Sequence, residues 1–454
     1  MSEPPEPNDR SDPSDPPEPN EGPEPNEPPG RRPWWSYAVP WAGNVPKLSR
    51  HQWGVLGLLS AAEFFEHYDV GLMSLALAQL QADLQIPEAQ IGQVSAIARL
   101  GVLPAILLTV MADRVGRRRL LLVTIVGFTV TTFLTAFAQT AEQYIALQFA
   151  SRFFIAGEAM LAVVVLTEEL MARDRGWGIG MLGALGALGH GAAALVFGFV
   201  DVLPFGWRAM YAIGVVPLIF LAWFRRNLRE TRRFEDHRAT RSEESSWSSF
   251  LHPLRSLFRM YPGRLAAISL AVLAFDFVIA TAYTFVPKTL QELHGYTPGG
   301  VSTLMIVGGA LGILGNIAAG SLADRFGRRV VLIVAIGANA AAIYAFYHGS
   351  GLWIPPAWIF AIFTITGISV LFKALGSELF PTSYRSTASG VRAVASTIGA
   401  STGLVLEGFL FTMAGSHALA ITWMMPVLIV PPVVILLFIP ETATRELEEI
   451  APER

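Results

Sequence analysis

Four ionisable residues, Glu63, Glu66, His67 and Asp69, fall within seven positions of an otherwise apolar run. At helical spacing Glu66 and Asp69 stand three apart and Glu63 and His67 four apart, so they cover one broad helix face. Clustered carboxylates resist joint ionisation, and burial disfavours their charge further. Such a face can hold a proton near neutrality and release it when water arrives. Asp276 sits in a second apolar run, 210 residues beyond Glu66, and Arg152 and Glu158 share a third. The planar fork of Arg152 matches a carboxylate bidentately, which makes it the candidate to hold an anion. The plainer reading is that it neutralises one of the acids near Glu66. His190, whose unperturbed imidazole titrates near neutrality, lies in a glycine-rich run. The candidate set is Glu66, Asp69, Asp276 and Glu158 for protons, and Arg152, Tyr68, His190 and Tyr283 for a small molecule. Packing is the plainer reading of His190 and of both tyrosines. Lys373 and Glu407 are expected toward opposite ends of their helices and not as a pair.

The elements that position these groups must lie in a bilayer. The 454 residues are 52% hydrophobic and 15% charged, with a mean hydropathy of +0.45, more apolar surface than one soluble core can bury. A hydrocarbon core of roughly 30 Å needs about 20 apolar residues per helix. Twelve runs qualify: 53–80, 90–112, 119–139, 143–169, 177–200, 207–225, 264–288, 300–322, 330–348, 354–377, 388–412 and 418–439. A charge at membrane depth costs a few kcal/mol on insertion scales, roughly 3 for Asp or Arg, so each one needs a partner, a wet cavity or a neutral form. The arginines gather between alternate spans, which places both termini in the cytoplasm and the chain in the cell membrane.

The first 30 residues hold eleven prolines, nine acids and one base, a composition that does not repay ordering. We read 1–50 as a disordered acidic tail ending in an interfacial segment with Trp34, Trp35 and Trp41. With no cysteine, disulfides, thiolate nucleophiles and cysteine-held metals are excluded. The sequence has no P-loop, H-E-x-x-H or nucleophile elbow, so neither an enzyme nor a cofactor is expected. Topology accounts for the arginines, so no nucleic-acid partner is expected either.

The chain repeats itself. Asp113-Arg114-Val115-Gly116-Arg117-Arg118 follows the second span, and Asp324-Arg325-Phe326-Gly327-Arg328-Arg329 follows the eighth, 211 residues later. A second echo joins Glu169 and Arg175 to Glu378 and Arg385. The expected fold is an all-α membrane protein: twelve transmembrane helices in two pseudo-symmetric six-helix bundles, 51–225 and 264–440, with a cytoplasmic linker at 226–263 and a tail at 441–454.

These motifs resemble those of the major facilitator superfamily, whose cytoplasmic loops carry D-R-x-G-R-R in both halves. Arg152-Phe-Phe-Ile-Ala-Gly-Glu-Ala159, Arg229-Glu-Thr231 and Pro440-Glu-Thr442 are similar to signatures of its metabolite, aromatic-acid and sugar porter branches. Glu66-His67-Tyr68-Asp69 stands where aromatic-acid:proton symporters carry D-G-x-D. The resemblance implies a cytoplasmic gate built from Asp113, Arg114, Gly116, Arg117, Asp324, Arg325, Gly327, Arg328, Glu169, Arg175, Glu378 and Arg385. It also implies alternating access. The expected activity is proton symport of a small organic solute, an organic anion or related metabolite, by a monomer whose partners are solute, protons and lipid. Proton antiport, a sugar or neutral-metabolite porter, and a receptor without turnover are the alternatives.

Overall fold

A computed structural model describes residues 45–226, 254–381 and 384–443, side chains at 109, 110, 112–114 and 172 aside. The acidic tail, the interfacial tryptophans, most of the linker including Arg229–Thr231, and the tail from 444 onward lie outside the described residues, as do the side chains of Asp113 and Arg114.

The fold is all-α. In the first half, Ser49 and Gln52 form a reciprocal capping box that starts α1 (Arg50–Leu75), continued by α2 (Leu77–Leu84). The second span is α3 (Ile91–Leu100) and α4 (Ile106–Val115), joined by a turn containing Pro104, which cannot donate a helical hydrogen bond. Then come α5 (Arg117–Thr135), α6 (Ala141–Glu169), α7 (Ala172–Phe197) and α8 (Trp207–Arg225). The second half repeats the order with α9 (Pro262–Glu292), α10 (Pro298–Phe326), α11 (Arg328–His348), α12 (Ile354–Glu378) and α13 (Arg385–Ala414). A broken last span, α14 (His417–Met424) and α15 (Val430–Phe438), completes it.

Several helices outrun their apolar runs by a few residues at each end, because a helix need not stop where the hydrocarbon does. Among the described residues eleven helical stretches are long and apolar enough to cross a membrane. The first span, α1, carries Glu63, Glu66 and Asp69 and completes the twelve. Large apolar side chains such as Val126, Phe133, Phe224, Leu436 and Phe438 are exposed on the outside of the bundles, where lipid takes the place of water.

Within the first half α1 packs on α7 and α5 on α6; within the second α9 packs on α13 and α10 on α12. The halves meet where α3 lies along α13, α7 along α10 and α2 along α9. Two contacts across this seam join residues the repeat makes near-equivalent. The hydroxyl of Ser74 donates to the carbonyl of Thr284 at 3.0 Å, 210 positions away, and Gln79 donates to Gln291 at 2.7 Å, 212 positions away. A residue that touches its own repeat partner lies on the pseudo-two-fold axis.

Candidate functional site

The acid face of α1 is divided between two surroundings. Glu66 and Asp69 are buried and point into the first half, where the hydroxyl of Thr132 on α5 donates to Asp69 Oδ2 at 3.0 Å. Glu66 Oε1 is buried and has no hydrogen-bond partner among the described residues. Glu63 and His67 lie on the neighbouring face, with the His67 ring 5.0 Å from that of His190 and its Nδ1 2.9 Å from the carbonyl of Glu63. Lys373 of α12 lies within electrostatic reach of Glu63 from the other half. Glu63 and Glu66, three positions apart, are hydrogen-bonded to each other, so the face is continuous as the spacing expects, with Glu66 and Asp69 at its buried side.

Arg152 of α6 is buried beside Asp69 and makes only long contacts, 3.5 Å to the carbonyl of Val70 and 3.9 Å to Met73 Sδ; its Nε has no partner among the described residues. Sequence reasoning missed Arg99 of α3, whose Nη2 reaches Thr284 Oγ1 of α9 at 3.5 Å across the seam. Arg99 stands within electrostatic reach of both Arg152 and Asp276, and Ser396 and Arg392 of α13 also surround Asp276. Its position in the second span, one helix from Arg152, was the available signal. Two loosely bonded guanidinium groups thus stand in a row between Asp69, inside the first half, and Asp276, across the seam in the second. That arrangement can take an anion and exchange a proton.

Three expected members stand elsewhere. The Tyr68 hydroxyl donates to the carbonyl of Met210 at 2.8 Å and its ring lies against Gly214, so it packs span 1 on span 6 and does not line the seam. Tyr283 donates to the carbonyl of Ala361 at 2.8 Å and receives a bond from Asn339 at 3.0 Å, inside the second half. Glu158 is held by a buried ion pair with Arg225 of α8 and by Thr124 Oγ1 of α5 at 2.5 Å, both inside the first half. Arg225, read in the sequence only as a topology arginine, is its partner.

The end that carries the D-R-x-G-R-R loops obeys the repeat closely. Gly116 at φ 102° and Gly327 at φ 94° turn the chain between spans, a conformation that suits glycine because a Cβ would clash with the backbone. Arg117 pairs with Glu168 at 3.1 Å, and Arg328 pairs with Glu378. The first half thus uses Glu168 where Glu169 was expected; Glu169 pairs with His51 at 3.4 Å, one helix position round. Arg175 Nε donates to the carbonyl of Leu170 at 3.1 Å and Arg385 Nε to that of Phe380 at 3.3 Å, each closing the end of the preceding span. Arg118 binds the carbonyl of Arg226, and Arg329 that of Leu436, tying the loop of each half to its last span. Asp324 and Arg325 are exposed in the last turn of α10.

Glu441 completes this end in the second half. Its carboxylate accepts from the backbone amides of Arg328 at 2.8 Å, Arg329 at 3.2 Å, and Thr442 and Ala443 at 3.0 Å each, capping α11. Burial opposes its charge, but the four N–H groups together hold it below the ordinary carboxylate range. Glu441→Ala should cost about 1–2 kcal/mol. A depressed carboxyl stabilises the fold above its unfolded-state pKa and stops doing so as pH falls through the folded one. Wild-type and variant melting temperatures should therefore converge in acid; a constant difference would mean that the charge is not what stabilises.

The sequence profile of the Major Facilitator Superfamily matches residues 59–403 and 268–453. The putative niacin/nicotinamide transporter NiaP of Bacillus subtilis is 24% identical over 80% of this chain and 89% of its own length. The probable 4-methylmuconolactone transporter of Cupriavidus pinatubonensis is 27% identical over 72% of this chain and 76% of its own. The crystal structure of a D-xylose-proton symporter superposes with a TM-score of 0.72 at 16% identity, covering 86% of this chain and 98% of that one. The doubled loop motif, the two six-helix halves and the profile that spans them agree: this chain is a multi-pass membrane transporter, not an enzyme, and belongs to the Major Facilitator Superfamily.

Proposed function

We propose that this protein is a proton symporter for a small organic anion, working by alternating access as a monomer with the motif loops and both termini in the cytoplasm. The observation that carries the reading is the pair Arg99 and Arg152, two buried or half-buried guanidinium groups with only long contacts among the described residues, standing between Asp69 in the first half and Asp276 across the seam. A guanidinium at membrane depth without a short partner is costly, and a carboxylate solute between the two would supply the missing bonds. Relatives named as transporters of niacin or nicotinamide and of 4-methylmuconolactone support a small metabolite as the solute.

In this mechanism Asp69 and Glu66 carry the proton in the first half and Asp276 in the second. Protonation removes a negative charge next to Arg152 and frees it for the solute, so proton and anion bind together. The halves then rock against each other across the seam that Ser74 and Thr284 mark. His190 and His67 lie where they would feel the same charge changes.

The test is reconstitution into liposomes with a pH dye on each side. Adding a small carboxylate outside should alkalinise the outside; proton movement evoked by sugars or cations and not by carboxylates would overturn the reading. Asp69→Asn should reduce proton-driven accumulation by about 5–150-fold, the range of a typical coupling between two sites, while solute exchange continues. Unchanged accumulation would remove Asp69 from the coupling. Arg152→Lys should weaken carboxylates more than neutral analogues, because an ammonium cannot reproduce the bidentate fork.

A further inference from the structure

At the end opposite the motif loops, a second ionisable cluster ties the halves together. His417, the first residue of α14, has Nδ1 2.6 Å from Glu407 Oε1 of α13 and Nε2 2.7 Å from Glu88 Oε1, at the start of the second span. Glu407 belongs to the second half and is fully buried; Glu88 belongs to the first. The ring lies between two phenyl faces, Phe285 at 4.4 Å and 27° and Phe411 at 4.5 Å and 28°.

We infer that His417 with Glu407 and Glu88 is a second proton-binding site, whose bound proton latches the two halves together at this end. A neutral imidazole has one N–H and serves one carboxylate, leaving the other facing a lone pair. Two short contacts require either an imidazolium between two carboxylates or a neutral ring with one carboxyl protonated. Both hold one proton more than a neutral imidazole and two carboxylates. The aromatic sandwich favours the imidazolium, since a cation is attracted to the faces of both rings.

The surrounding charges leave this count unchanged. Lys288 of α9 spends its three N–H groups on Glu88 at 3.0 Å, Glu292 at 2.5 Å and Gln81 at 2.5 Å, and Gln81 also donates to Glu88 Oε2. Tyr347 of α11 donates to the carbonyl of Ala282 at 2.5 Å and so does not serve Glu407, and His348 bonds Thr422 at 2.7 Å. Glu407 Oε2 has no partner among the described residues. Opening this end carries Glu88 away from His417 with the first half, so the proton is bound more tightly in the closed state. The inference rests on the proposed rocking of the halves but not on the solute or on the Asp69 coupling.

A proton held by one state only shifts an equilibrium by up to about tenfold per pH unit. The chain has no cysteine, so Val202→Cys and Leu352→Cys, exposed positions at this end of the first and second halves, can carry a spin-label pair without background. Between about pH 6 and about pH 9, the long-distance population should grow relative to the short one in the otherwise unchanged protein, the range over which an imidazole titrates. His417→Gln, which has no titrating group, should flatten that growth by about tenfold or more. Glu88→Gln, at a half-buried turn, should do the same and serves if the first variant fails to fold.

A nitrogen spectrum of histidine-labelled protein near pH 7 should show both ring nitrogens of His417 protonated. Movement of the halves with the same pH profile in both variants would overturn the latch alone. A distance that moves at no pH and with no solute would overturn the rocking as well. Transport of a carboxylate that proceeds normally while His417→Gln abolishes the pH profile would separate the latch from the central site.

Discussion

Arg225→Ala should destabilise the protein by about 3–5 kcal/mol, because it strands a carboxylate that is out of water. Arg225 and Glu158 have 0% and 1% of their side-chain surface exposed and are joined directly. Arg225 also bonds the carbonyl of Leu58 at 3.3 Å and that of Leu121 at 3.4 Å, so one side chain links α8 to α1 and α5. Thr124 supplies the other oxygen of Glu158 with a bond of 2.5 Å. Removing the guanidinium leaves a buried carboxylate with a hydroxyl as its donor and no counter-charge beside it; removing both charges does not. Glu158→Leu with Arg225→Met should recover most of the loss, since a buried pair replaced by apolar side chains of similar volume is often neutral. Thermal unfolding in detergent checks both. An alanine variant that melts like the wild type would show that the pair is dispensable, and a double variant no better than the single would point to lost carbonyl bonds and not to a stranded charge.

Gly92→Val should trap the protein open at the end where α3 meets α13, with little effect on the folding of either half. A Cβ at Gly92 would lie 2.3 Å from the carbonyl oxygen of Leu404, and the other atoms near it, the Leu404 carbonyl carbon and Glu407 Oε2, also belong to the second half. Gly408 mirrors it, with a Cβ that would lie 2.2 Å from the carbonyl oxygen of Ala89. These backbones approach so closely only because no side chain stands between them. Overpacking at such a contact costs about 1–3 kcal/mol, a shift of about 5–150-fold between the two states. Net transport should fall by a comparable factor while the melting temperature holds, and Gly408→Val should behave alike. Gly191→Ala, which meets nothing within 4 Å, is the control. Full transport by Gly92→Val would mean that this contact does not close during the cycle.

The loop motifs were legible because they are local. A turn that needs a glycine at positive φ, flanked by arginines that bind the next helix, is written in contiguous residues, and the repeat wrote it twice. Even there the helix phase decided between neighbours, giving Arg117 to Glu168 and His51 to Glu169. Glu441 was marked by the Pro440-Glu-Thr442 pattern, but that it caps α11 is a contact across 112 or 113 positions.

The membrane class, twelve spans and two repeated halves follow from the sequence alone, since hydrocarbon thickness, the cost of buried charge and the 211-residue offset act on composition and spacing. Which buried charge meets which was decided only by the tertiary structure. Arg99 facing Arg152, Glu158 closed on Arg225, and His417 held between Glu88 and Glu407 each depend on the rotation of whole helices about their axes. That rotation is set by packing along the entire length of a helix, so no short stretch of sequence encodes it.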